Sequence, residues 1–510
     1  MTKTKCLCLS TLLLFAVPAL SQLSSPQAIT GEYIVKFKNK TSMNRGLKLI
    51  GKAGADISVK SVFAGSQLLH IKVNSESERK ALAADPEVAF IEPNYILSVN
   101  PIDLSSLGSP PSSTDDYTQS SANVQVKNSW AIQKPYNQGD KIVVAIIDTG
   151  LDRNHLLFKD SGSIWENLAE KNGTPSLDDD GNGLVDDING WNYVNQSSNI
   201  NDNNNHGTHV AGIVLGVGQD IFVSSVRESK IRIMALKFLD STGSGTTSSA
   251  ISAIEYAVNK GARVINNSWG GPSYSQSLDE AYAAAYNAGV VIVSAAGNSG
   301  TDNETTPMYP ANFNTPSNIS VLAATDTDTR ASFSNYGATT VNVGAPGNSI
   351  TSSVSGTGCI VPGCFQKMSG TSMAAPFVAG LAALALREAP QLSAYQIRSL
   401  ILSSVDIIPA LSGKVSTGGR VNAYKAIVEA KAQVATAPWA PSYSLASNRS
   451  PASVASNNGN AAGCGLVKAV DGVNNGGSGG AGAIVNILLL LMPLLVLGKL
   501  GTSSFLKDLV

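Results

Sequence analysis

Four short apolar runs constrain this chain more than any other feature: KIVVAIID (141–148), ARVINNSW (262–269), GVVIVSAAG (289–297) and NISVLAATD (318–326). Between them lie helical patterns such as SSAISAIEYAVNKG (248–261) and SLDEAYAAAYNAG (277–289). Continuous apolar strands that alternate with helices imply a parallel sheet covered by helices on both faces, an α/β fold. The segment AAPFVAGLAALALRE (374–388) is apolar nearly all round and is expected to run through the core. GRVNAYKAIVEA (419–430) closes this domain, assigned to 126–432. The chain's 510 residues, 43% apolar and 14% charged, are ample for such a core and for a second domain.

Ahead of that domain, residues 22–100 read as a small α+β module. YIVKF (33–37) and LLHIKV (68–73) are strand-like, and SERKALAADPEVAFIEPN (77–94) reads as helix, turn and strand. A Pro/Ser/Asp-rich linker follows over 101–125. The first 21 residues have a basic start (Lys3, Lys5), an apolar stretch from Cys6 to Val17 and small residues at Ala19 and Ser21. They are expected to be a secretory signal peptide. Beyond 432 lies a low-complexity linker (433–482) and then AIVNILLLLMPLLVL within an apolar tail, 483–510. As a helix that run spans only about 22 Å, short of a bilayer core. A membrane or a sorting machinery is its expected partner. The net charge of −1 and the lack of basic-aromatic interleaving argue against nucleic acid.

In open parallel sheets, ligands bind beyond the carboxyl ends of the strands. Asp148 follows one such strand and Gly297-Asn298 another. His206 stands near a helix start, and Ser372 at the entrance of the core helix. Each is flanked by glycine and small residues. The chain has four histidines, and His206 and His209 lie three residues apart in NHGTHVAGI. A zinc reading of that pair is weak, because H-G-T-H lacks the acidic residue and spacing of zinc-protease helices. His209 is expected to be packed or hydrogen-bonded within the helix.

IIDTGLD, NHGTHVAGI and SGTSMAAPFVAG resemble the three catalytic blocks of the subtilisin-like serine proteases (subtilases, peptidase S8 family), and SAAGNSG resembles their oxyanion block. GSGTTSSAISAIEYAV, INNSWGGP, ASFSNYG, VGAPG and GRVNAYKA follow in family order. The resemblance implies an endopeptidase acting on proteins or peptides, without a catalytic metal, in which Asp148, His206 and Ser372 form the triad. Asn298 would bind the oxyanion with the Ser372 backbone N–H. Gly243-Ser244-Gly245 and Ser268-Trp269-Gly270 match the segments that line the substrate cleft, where an extended peptide would add as a strand. The 22–100 module resembles the family's inhibitory propeptide, with DPEVAFIEPN as its closing strand. Asn205 stands where glycine is usual before the base, and asparagine accommodates positive φ better than most residues. Pro376 lacks an N–H and leaves the Ser372 carbonyl without its i+4 donor.

Two further signals stand apart. In LDDDGNGLVDD, Asp178, Asp180 and Asn182, with the Leu184 carbonyl, fall at EF-hand-type ligand positions, but Asn189 replaces the closing glutamate. Asp186 or Asp187 is expected to complete a structural calcium site. Cys359 and Cys364, five apart in GCIVPGCF, are expected to form a local disulfide, the alternative being two free thiols. The competing functional reading is a non-catalytic, calcium-stabilised surface or adhesion protein retaining the fold. Having Asp148, His206, Asn298 and Ser372 together speaks against it.

Overall fold

The computed structural model describes residues 27–50, 56–99, 124–133, 141–159, 161–218, 230–355 and 365–433. All fall in the first of two compact units, which ends at Ser447. The signal segment, Cys359, Cys364 and the C-terminal tail lie outside the described residues. No helix among the described residues is long and apolar enough to cross a membrane.

The N-terminal module runs β1 (Ala28–Phe37), α1 (Lys40–Ile50), β2 (Ile57–Phe63), β3 (Leu68–Val73), α2 (Glu76–Ala83) and β4 (Val88–Ser98). Its strands form an antiparallel sheet in the order β2-β3-β1-β4. Val35, Phe37, Leu69 and Ile71 fill its core, with Met43 of α1. The sequence reading found β1, β3, α2 and β4 but not β2 or α1. The pattern ISVKSVF buries only its last residue, so β2 carries little apolar signal.

The larger part begins with α3 (Val126–Ile132), β5 (Ile142–Asp148), α4 (Leu168–Asn172), β6 (Gly190–Asn192), α5 (His206–Gly218) and β7 (Ile231–Lys237). It continues with β8 (Ser244–Thr246), α6 (Thr247–Asn259), β9 (Val264–Asn267), α7 (Gln276–Asn287), β10 (Val291–Ala295), β11 (Asn318–Ala324) and β12 (Val343–Pro346). It ends with β13 (Ile350–Ser353), β14 (Phe365–Met368), α8 (Thr371–Glu388), α9 (Ala394–Ser403), β15 (Asp406–Ile407), β16 (Gly419–Arg420) and α10 (Ala423–Ala432). The main sheet has the order β15-β16-β12-β11-β10-β9-β5-β7-β6 and is parallel except for β15. The expected α/β class is therefore what is seen.

The period of two along β5 decides which helices it meets. Val144 and Ile146 face the layer that holds α5 and α8. Ala145 and Ile147 face α6 and α7 on the opposite side. Helix α8 is buried from Thr371 to Arg387, as its all-round apolar sequence requires. Strand β7 was not singled out in the sequence, because Arg232 and Lys237 interrupt its apolar run.

Candidate active site

Asp148 is the last residue of β5 and His206 the first of α5. Their meeting requires the first turn of α5 to lie against the loop after β5. Gly207 makes that possible: a Cβ there would stand 2.3 Å from the Gly150 carbonyl oxygen. The result is a hydrogen bond of 2.7 Å from His206 Nδ1 to Asp148 Oδ1, with both side chains buried. The same oxygen accepts from the Thr149 N–H at 2.7 Å. Because the carboxylate holds the proton on Nδ1, the lone pair of a neutral His206 ring lies on Nε2. Among the described residues neither Nε2 nor Asp148 Oδ2 has a hydrogen-bond partner.

Ser372 is the second residue of α8, so its backbone N–H is one of those a helix start leaves unpaired. Its Oγ donates to the Ser268 carbonyl at 3.0 Å. In return Ser268 Oγ donates to the Ser372 carbonyl at 2.9 Å. That bond supplies the donor which Pro376 cannot. Asn298 follows β10, and its Oδ1 accepts from the Thr371 N–H and hydroxyl, both at 2.8 Å. The side chain is thereby oriented with Oδ1 as acceptor and Nδ2 as donor, Nδ2 lying 3.1 Å from where a Cβ on Gly370 would stand.

Asn205 takes φ = 88°, the positive region expected for it. Its Oδ1 accepts from the Ser355 N–H at 3.1 Å and from the Ser355 hydroxyl. His209 is fully buried, but its partners are not within its helix. Nε2 faces the carbonyls of Ile350 at 3.1 Å and Gln366 at 3.0 Å, on β13 and β14. Burial holds the ring's pKa down at about 3, so it is neutral.

The segments 243–245 and 268–270, which resemblance assigns to the substrate cleft, are spanned by a strand. Strand β4 pairs antiparallel with β8, Leu97 opposite Gly245 and Ser98 opposite Ser244. On its other side Ser98 exchanges hydrogen bonds with Gly270, at 3.1 and 2.9 Å. The Val99 N–H donates to the Gly243 carbonyl at 2.9 Å. Upstream in β4, Glu92 accepts from Ser275 Oγ (2.7 Å) and from the N–H groups of Gln276 (2.9 Å) and Ser277 (3.2 Å) at the start of α7. Asn94 Oδ1 accepts from the Ser248 N–H of α6 at 3.0 Å. Trp269 does not face the cleft: its indole is fully buried, donates to the Ile147 carbonyl at 2.9 Å and packs edge-on against Phe238. Only its backbone belongs to the cleft edge.

In the acidic loop, carboxylate oxygens of Glu170, Asp178 and Asp180 lie within 4.8 Å of one another. Glu170 was missed because it precedes the motif on α4. Its Oε1 accepts from the N–H groups of Asp179 (2.8 Å) and Asp180 (3.0 Å). Asn182 and Leu184 follow in the same loop, where Asn182 Oδ1 accepts from the Leu184 N–H at 2.7 Å. Asp187 is outside that cluster, buried against the Tyr256 hydroxyl (2.6 Å) and Asn182 Nδ2 (2.9 Å), and it shares with Asp180 the Asn167 amide and the Lys260 ammonium, which is ion-paired to Asp180. Asp186 is turned to the Ser176 N–H.

A family model described as the subtilase family matches residues 139–449. The chain belongs to that family. This subtilase is 35% identical to a thermophilic serine proteinase of Bacillus sp. (strain AK1), over 78% of this chain and 88% of that one. It is 36% identical to thermitase of Thermoactinomyces vulgaris, over 60% and 93% respectively. Its fold matches the crystal structure of fervidolysin from Fervidobacterium pennivorans, described as a keratinolytic enzyme related to subtilisin. The TM-score is 0.60 at 24% identity, covering 79% of this chain and 61% of that one. This subtilase is a serine-type endopeptidase that hydrolyses protein or peptide substrates.

Proposed function

We propose that this subtilase cuts peptide bonds through an acyl-enzyme on Ser372 and is made as a secreted, self-processing zymogen. The observation that carries the chemistry is the buried 2.7 Å contact between Asp148 and His206. Asp148 keeps the Nδ1 tautomer, so Nε2 takes the proton as the Ser372 hydroxyl leaves the Ser268 carbonyl and attacks the scissile carbon. The carbonyl oxygen becomes an oxyanion, stabilised by Asn298 Nδ2 and the Ser372 N–H. His206 then gives its proton to the leaving amine, and water repeats the sequence to release the acid.

The double pairing of Ser98 supports reading residues 22–100 as the enzyme's own inhibitor, with the end of β4 held as a product strand. Gly243, Ser244, Gly245, Ser268 and Gly270 then bind substrate through backbone groups, which tolerates varied side chains. Replacing Ser372 by Ala should leave the purified precursor full-length and folded. Maturation of that variant without a helper protease would sink the zymogen reading.

Calcium is read at Glu170, Asp178 and Asp180, with Asn182 and the Leu184 carbonyl as further oxygen donors. The ion would tie α4 to the loop and add stability by mass action. Chelation should lower the melting temperature of the mature enzyme, and Asp180→Ala should abolish that response. Secretion rests on the signal segment, and sorting on the 483–510 tail. Deleting that tail should shift active protease into the medium.

A further inference from the structure

Asp148 and His206 stand 58 residues apart in the chain, on a strand end and a helix start. A 2.7 Å contact between two such elements needs something to fix their register. Asp202 stands at that junction. It lies in the asparagine-rich approach to α5, outside any helix or strand, and is buried.

Both of its oxygens are committed. Oδ1 accepts from Thr149 Oγ1 at 2.9 Å, from the Asn204 N–H at 2.9 Å and from the Asn205 N–H at 3.0 Å. Oδ2 accepts from the Thr208 N–H at 2.9 Å and from Thr208 Oγ1 at 2.7 Å. Thr149, the neighbour of Asp148, completes a ring: its Oγ1 also accepts from the Gly207 N–H at 2.8 Å. The open donors in the first turn of α5 are thus met from outside the helix, at Gly207 by Thr149 and at Thr208 by Asp202. Lys237 closes the other side. Its ammonium donates to the carbonyls of Thr149 and Leu239 and to Asn203 Oδ1.

We propose that Asp202 is a positioning residue for the triad, holding the Asp148–His206 contact in register by clamping Thr149 to the first turn of α5. A carboxylate suits this place for two reasons. It accepts several hydrogen bonds at once, and its charge lies at the positive end of the helix. An ordinary helix cap would steady α5 alone. This one grips Thr149, the neighbour of Asp148, with the same oxygen that holds the Asn205 N–H. The proposal rests on the reading of Asp148 and His206 as catalytic.

The test compares Asp202→Ala, Asp202→Asn and Thr149→Val as full-length precursors matured by added protease, which is then removed. Thr149→Val keeps Asp202 on α5 but cuts the link to the Asp148 loop with little change of shape. Misplacement of about 1 Å near a reacting centre can cost about 10²-fold. Asp202→Ala should therefore lose kcat by about 10²-fold with KM nearly unchanged, and Thr149→Val by about tenfold. Asp202→Asn, which can keep the Oδ1 contacts, should fall between Asp202→Ala and the parent. In the Ser372→Ala precursor, the low-field proton resonance of His206 Nδ1 should shift or broaden when Asp202→Ala or Thr149→Val is added. Loss of stability with parental kcat and an unmoved resonance, while Asp148→Asn is inactive, would overturn the proposal alone. An active Asp148→Asn enzyme would overturn the triad reading and this proposal together.

Discussion

The Asp148–His206 corner is fully buried and the strand-binding edges at β8 are half-buried; both are polar, yet they follow opposite plans. Along the edges, β4 meets partners on either side, at Gly245 and Ser244 on one flank and Gly270 on the other. In the corner, His206 Nε2 and Asp148 Oδ2 are buried with no partner among the described residues. A buried polar group left unpaired typically costs about 1–3 kcal/mol. The edges are paired on both sides, whereas the corner keeps an acceptor unpaired among the described residues. Three residues after His206, His209 Nε2 meets two carbonyls, while its Nδ1 is buried without a partner among the described residues.

The comparison is sharpened most by Asn298. Asn298→Leu removes a donor from the corner without touching the edges. It should lower kcat by about 10²–10³-fold with KM little changed, the loss known for the corresponding donor in subtilisin. Steady-state kinetics on a chromogenic peptide reads both constants. Glu92 tests the other side. A hydrogen bond to a charged group typically contributes about 1.5–3 kcal/mol, and Glu92 accepts several. Glu92→Ala in the separately added 22–100 module should therefore weaken inhibition by about 30-fold or more. Inhibition equal to the parent's would show that the strand pairing alone holds the module in place.

His209 gives a pH-dependent effect, spread over several pH units. The unfolded chain protonates this ring at the ordinary histidine pKa of about 6.5, whereas the folded chain resists protonation until about pH 3. Between these limits the unfolded state binds more protons, so stability falls as pH drops, by up to about 1.4 kcal/mol per pH unit. Denaturant unfolding of the Ser372→Ala precursor at a series of pH values measures this. His209→Asn should flatten that part of the curve relative to its parent. The smallest effect belongs to Asn205→Gly. Glycine relieves φ = 88° but loses the contacts to Ser355, so the net change in stability should stay within about 1 kcal/mol.

The sequence made β5, β9, β10 and β11 and the four candidate site residues legible for a local reason. Apolar runs end at Asp148 and near Asn298, and glycines mark where backbones approach closely. What it hid depends on distant segments. The partners of His209 come from residues 350 and 366. The donor that stands in for Pro376 comes from Ser268. Trp269 belongs to a segment that resemblance assigns to the cleft, yet beyond the end of β9 its ring turns into the core, where Phe238 meets it. Glu170 and Asp202 carry no motif of their own. They matter because folding brings backbone N–H groups to them.

A slot one strand wide, bounded by the backbones of residues 243–245 and 270, has a consequence beyond peptide preference. Whatever enters must present several consecutive residues in extended form with both edges bare. Segments inside a native helix or an interior sheet strand already use those groups, so they cannot dock until their own fold lets go. The enzyme would therefore sort its targets by conformational state more than by sequence. Loosely held loops and damaged or unfolded proteins would be consumed first, and compact neighbours, mature copies of itself included, would be spared.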